Sequence, residues 1–152
     1  MAFDYSTLPT KRSASGVLFT RDDDTVLLVE PVYKPDWEVP GGTVELNESP
    51  RAAAIREVGE ELGLTITPGR LLIVDWVPPR DTRTEGVMFL FTGGELNTAA
   101  IHLPPEELRS WAWCSPEEAE ARASPLLARR IRAALTAHAT GGSLYCEDGV
   151  PV

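Results

Sequence analysis

The seven residues from Arg56 to Leu62, REVGEEL, carry three carboxylates, one guanidinium and a glycine. Like charges three and four residues apart on a helix repel and cost a few tenths of a kcal/mol per pair. A mid-helix glycine such as Gly59 costs about 1 kcal/mol more against alanine. At about 100° per residue, Glu57, Glu60 and Glu61 share one face, and Ile55, Val58 and Leu62 lie on another. Two readings fit such a face. One is a solvated acidic surface. The other is a set of hard oxygen donors one turn apart, the donor type that Mg²⁺ takes in near-octahedral geometry.

Charge over the whole chain bears on the choice. The 152 residues carry a formal net charge of −9, with 43% hydrophobic and 24% charged residues. A surface of that sign repels nucleic-acid backbones and anionic membranes, so neither is expected as a partner. It also repels a phosphorylated metabolite unless a cation sits in the site. No signal-peptide core and no apolar run of about 20 residues is present, which points to a cytoplasmic protein. Cys114 and Cys146 form no CxxC pair and read as two thiols rather than a disulfide.

The elements that must position the carboxylates follow from pattern. Ser49 followed by Pro50 is a helix start, and Gly63 is a stop, so a helix is expected over about 50–62. Residues 15–20 and 25–33 are β-rich and flank the polar turn Arg21-Asp22-Asp23-Asp24, which reads as a hairpin. Residues 70–78 and 86–96 are strands on either side of the loop PRDTRTE. Residues 101–115 read as loop, acidic turn and strand. Ser115 and Pro116 open a short helix, and residues 124–139 carry apolar residues at helical spacing. The tail from about residue 140 reads as turn-like and loosely held. The whole is expected to be one domain, residues 1–152, of the α/β class with a mixed sheet covered by helices.

The stretch from Gly42 to Leu64, GTVELNESPRAAAIREVGEELGL, has a further regularity. It resembles the signature of the Nudix hydrolases: Gly, five residues, Glu, seven residues, Arg-Glu, an aliphatic, any residue, Glu-Glu, any residue, Gly, an aliphatic. Gly42, Glu48, Arg56, Glu57, Val58, Glu60, Glu61, Gly63 and Leu64 fill every specified place. The resemblance implies a Nudix α/β/α sandwich and metal-dependent hydrolysis of a nucleoside diphosphate linked to another group. It implies Mg²⁺ as the cofactor, with Mn²⁺ as a possible substitute.

By that resemblance Glu57, Glu60 and Glu61 are expected to be metal ligands, with the Gly41 carbonyl joining them and Glu60 innermost. Glu57 doubles as base or water-orienter, and Arg56 holds Glu48 or Glu57. Gly42 and Gly63 are expected to shape tight backbone turns, and Glu48 to cap or pair. Family members often use a further glutamate from a later loop. Glu107 is the first choice here and Glu85 the rival. Arg80 and Arg83 are the expected phosphate or sugar contacts, and Trp37 an expected base contact. The expected partner is a small nucleoside diphosphate derivative, and the chain a monomer or homodimer. The alternative is a catalytically silent Nudix-fold protein that binds a nucleotide as a sensor.

Overall fold

A computed structural model describes residues 1–152. Strands β1 (Arg12–Phe19), β2 (Val26–Pro31) and β3 (Gly41–Thr43) precede helix α1 (Pro50–Leu62). Then come β4 (Leu71–Val77), β5 (Gly86–Gly94) and β6 (Leu108–Cys114). Helices α2 (Pro116–Arg122) and α3 (Pro125–Thr140) and strands β7 (Leu144–Glu147) and β8 (Val150–Pro151) complete the chain. Six strands form a mixed sheet in the order β3-β1-β5-β4-β7-β8, and β2 and β6 form a separate antiparallel pair.

Two apolar cores explain the layering. Leu18, Val26, Leu28, Leu72, Ile73 and Leu90 pack with Leu127, Ile131 and Ala134 of α3. Their sequence neighbours Val17, Phe19, Leu27 and Val29 point the other way and pack with Ala54, Val58 and Leu62 of α1. Alternation along each strand thus feeds both faces, and helices cover both. This is the expected α/β/α sandwich with a mixed sheet. No helix is long and apolar enough to cross a membrane.

Two expectations are corrected. Residues 15–20 and 25–33 do not form a hairpin: beyond a single bridge between Thr20 and Val26, β1 and β2 belong to different sheets. Both edges of β1 are already taken, by β3 antiparallel and by β5 in parallel, so β2 pairs with β6 instead. The tail is not merely turn-like. Strand β7 runs parallel to β4 with Cys146 buried beside Asp75, and β8 folds back on it. Both cysteines are buried free thiols, as expected.

Candidate active site

Helix α1 starts and stops where its sequence dictates. The Ser49 side chain accepts from Ala52 N–H, Pro50 takes the first turn, and Gly63 closes the helix in the left-handed region at φ 69°. That cap fixes where Glu57, Glu60 and Glu61 fall. Ala53, Ala54, Val58 and Leu62 are buried, and Glu61 lies between them on the same face. Glu61 is only 8% exposed. The Glu57 and Glu60 side chains are 16% and 57% exposed. The order of depth is therefore Glu61, Glu57, Glu60, so Glu60, expected as the innermost metal ligand, is the most exposed of the three. The two small alanines bring their side of the helix down onto the sheet, and Glu61 goes down with them.

Burial has an electrostatic consequence. Desolvation pushes the Glu61 carboxyl up to about 8. The Gly41 N–H, donating to Glu61 Oε1 at 3.1 Å, opposes this, while Glu57, Glu38 and Glu107 add to it. No cation pairs with Glu61, which is unusual for a buried carboxylate.

Arg56 organises the opposite side. Its Nε and Nη2 donate to Glu48 at 2.8 and 2.9 Å, a bidentate pair. Its Nη1 donates to Glu57 Oε1 at 2.9 Å, and Nη2 also reaches the Thr43 carbonyl at 3.0 Å. Both expected partners are thus held at once. The Arg56 contact holds the Glu48 carboxyl down at about 2, and Arg56 itself is raised, first by Glu48. Glu48 therefore serves as a permanent anchor for Arg56, and Arg56 as a clamp on Glu57.

Gly42 makes room for this clamp. A Cβ there would sit 2.5 Å from the Glu57 carboxyl carbon. Its requirement is close approach of a side chain, not the tight turn expected from sequence.

Glu57 and Glu61 open into a cavity of about 190 Å³ with Gly41, Gly42, Glu38, Glu107 and Tyr33. Glu107 arrives from the turn before β6, so the structure brings it to the other carboxylates. Glu85 is elsewhere: its carboxylate accepts from Trp76 Nε1 at 2.8 Å and pairs with Lys11. Glu60 does not line the cavity. No three carboxylate, histidine or cysteine side chains converge into a ready-made cation cage, since Glu57 is turned toward Arg56. A hydrated divalent ion nevertheless suits the donor set: an unpaired buried carboxylate, two more carboxylates and a glycine backbone at one open cavity.

From Glu38 the cavity continues into a second, about 350 Å³, along β1 and β5, and a third, about 170 Å³, beside Arg80 and Arg83. Arg80 and Arg83 thus lie at the far end of one groove. Trp37 does not line it. Its ring lies under the Arg122 guanidinium at 4.6 Å and packs on the apolar core. The aromatic residues on the groove are Tyr33 and Phe89. A larger cleft of about 600 Å³ at the loops after β1 and β5 contains none of these carboxylates.

Sequence reasoning missed three groove residues: Ser15, Arg12 and Arg130. Arg130 Nε donates to Asp75 at 2.8 Å, and Asp75 is fully buried. The signal was a lone charge inside the apolar strand sequence LLIVDWV. Such a charge must find a partner.

The NUDIX domain profile matches residues 10–135. The chain is 31% identical to the CTP pyrophosphohydrolase of Escherichia coli over 107 residues, 68% of this chain and 76% of that protein. It is 41% identical to mouse diphosphoinositol polyphosphate phosphohydrolase 3-alpha over 87 residues, 57% of this chain and 52% of that one, so it spans about half the length of that relative. The solved structure of a UDP-X diphosphatase superposes with a TM-score of 0.75 at 18% identity, covering 92% of this chain and 68% of the other. The chain belongs to the Nudix family. It is a hydrolase of the class that acts on pyrophosphate bonds.

Proposed function

We propose that the chain is a divalent-metal-dependent pyrophosphohydrolase that cleaves the diphosphate linkage of a nucleoside diphosphate derivative. The observation that carries this reading is Glu61: a buried carboxylate with no cationic partner, at a cavity shared with Glu57 and Glu107. Burying a charge is costly unless it is paired or holds a metal. A cation here would supply the missing pairing and offset the negative charge that an anionic substrate meets.

Glu61, Glu57 and Glu107, with the Gly41 backbone, would hold the ion, and Glu60, outside that cavity, would be at most an outer donor. Mg²⁺ is the expected ion, with Mn²⁺ as substitute. When bound, the metal polarises the phosphorus–oxygen bonds and lowers the pKa of a coordinated water. Glu57, held by Arg56 Nη1 at 2.9 Å, would orient the attacking water and take its proton. The water oxygen bonds to one phosphorus, the bridging P–O bond breaks, and two phosphorylated products leave. The groove beyond Glu38 seats the remainder of the substrate.

The test is a hydrolysis panel of nucleoside triphosphates, ADP-ribose, sugar nucleotides and dinucleoside polyphosphates, with Mg²⁺ and with EDTA. Metal-dependent cleavage within the diphosphate, lost in Glu57→Gln, supports the reading. Binding of a nucleotide and metal without turnover of any diphosphate overturns it in favour of a sensor.

A further inference from the structure

The face of β1 that α1 covers carries one polar group with nothing to bond. Alternation along the strand puts Ser15, Val17 and Phe19 on one side and Ala14, Gly16 and Leu18 on the other. Val17 and Phe19 pack against Ala54, Val58 and Leu62 of α1. Ser15 continues that row by one step, past the apolar contact and toward the carboxylates of the helix. It is only 3% exposed, and its Oγ is the one buried side-chain polar atom in the chain without a hydrogen-bond partner. A buried hydroxyl left unsatisfied is costly, and alanine would fill nearly the same space without that cost.

The surroundings name the partner. Ser15 pairs with Gly42 across the β1–β3 ladder. Opposed residues of neighbouring strands present their side chains to one face, with Cβ atoms about 5 Å apart. Gly42 has no side chain, and the Glu57 carboxylate takes the space instead. Oε1 lies 2.5 Å and Oε2 2.8 Å from where a Gly42 Cβ would sit. The Ser15 hydroxyl and the Glu57 carboxylate are therefore neighbours across the bare Gly42 backbone.

Glu57 is tied at one oxygen only. Arg56 Nη1 donates to Oε1 at 2.9 Å, and Oε2 accepts no hydrogen bond within the protein. A donor without an acceptor thus faces an acceptor without a donor. They make no direct bond, and a gap of about 5 Å between two polar atoms is what a single water spans.

We infer that Ser15 is a positioning residue for Glu57: its hydroxyl donates to one bound water, which donates in turn to Glu57 Oε2. Arg56 then fixes one oxygen of the carboxylate and Ser15 the other, so the group cannot turn about its last bond. This rests on the reading of Glu57 as the group that orients the attacking water and takes its proton, a task that needs a carboxylate oxygen held in one direction. Gly42 gains a second reason to lack a side chain, since any Cβ there would part Glu57 from Ser15 as well as displace it.

Two experiments test this. Metal-free protein is crystallised in EDTA and measured at a resolution that shows ordered water. A water within about 2.5–3.2 Å of both Ser15 Oγ and Glu57 Oε2 is expected, and its loss in Ser15→Ala. A Ser15 hydroxyl bonded instead to Glu61 or to a backbone carbonyl, or left without any partner, overturns the inference. Kinetics with Mg²⁺, on the diphosphate that the wild type turns over best, then separate the hydroxyl from its volume. Ser15→Ala removes one oxygen and adds nothing, and Ser15→Cys fills the space but donates weakly. Both should lower kcat at least five-fold and leave KM within two-fold. An alanine variant with normal kcat, or full activity in the cysteine variant, assigns the position to packing and overturns the inference with the hydrolase reading intact. If the wild type hydrolyses no diphosphate, the hydrolase reading falls, and the water in the metal-free crystals still decides whether Ser15 positions Glu57.

Discussion

Replacing Glu61 by glutamine should stabilise the metal-free protein, and only above a certain pH. Burial raises the Glu61 carboxyl from 4.5 to about 8 in the folded state. The folded chain therefore holds this proton more tightly than the unfolded chain does. The associated stability is fully present below pH 4.5 and is lost as pH rises through about 8. A shift of 3.5 units, at 1.36 kcal/mol per unit, corresponds to about 5 kcal/mol. Because buried sites respond with an effective dielectric constant nearer 20 than 4, about 2–4 kcal/mol is expected in practice. Glutamine keeps an acceptor for the Gly41 N–H and cannot ionise. In EDTA, urea unfolding of Glu61→Gln and wild type should give similar midpoints at pH 5. At pH 9 the variant should be more stable by that amount. Adding Mg²⁺ at pH 8 should raise the wild-type midpoint and leave the variant's unchanged. A difference that is constant from pH 5 to pH 9, or a variant that gains equally from Mg²⁺, would refute the assignment of Glu61 as a buried, cation-seeking carboxylate.

Gly42→Ala places a methyl group 2.5 Å from the Glu57 carboxyl carbon and must displace it. A loss of at least ten-fold in kcat with a native circular dichroism spectrum is expected, since small misplacements of a catalytic group cost that much. Gly59→Ala meets no atom nearer than 3.8 Å and should raise stability by about 0.5–1 kcal/mol in thermal or urea unfolding, with activity retained. The Glu48 carboxyl, held at about 2 by Arg56, contributes stability that is present above 4.5 and lost as pH falls toward 2. Glu48→Gln should therefore flatten the acid limb of the stability–pH profile.

The parts of this site written into contiguous sequence were legible. Ser49, Pro50 and Gly63 set the ends of α1, and the spacing of the glutamates placed them on one side of it. The depth order was not, because the helical pattern was read from Ile55, Val58 and Leu62 while the burial of Ala53 and Ala54 rotates the buried face toward Glu61. Alanine carries too little hydrophobicity to announce its face, yet its small size lets the helix approach closely. The β1–β2 turn suggested a hairpin because turn chemistry is local, whereas pairing is decided by which edges other strands have taken. Strand β7 and the Arg130–Asp75 pair depend on partners 55 or more residues away, which no local pattern encodes. Trp37 was read as a base contact from its place beside the glycine loop, and Arg122, from α2, occupies its ring instead.

Hydrolysis at this site would require a divalent cation among Gly41, Glu57, Glu61 and Glu107. Crystals of the protein soaked in Mn²⁺ and measured at the manganese absorption edge test it most directly. An anomalous peak roughly 2.0–2.3 Å from a Glu61 carboxylate oxygen is expected. A peak confined to the exposed Glu60 side chain, or none at Glu61 under saturating metal, would contradict it.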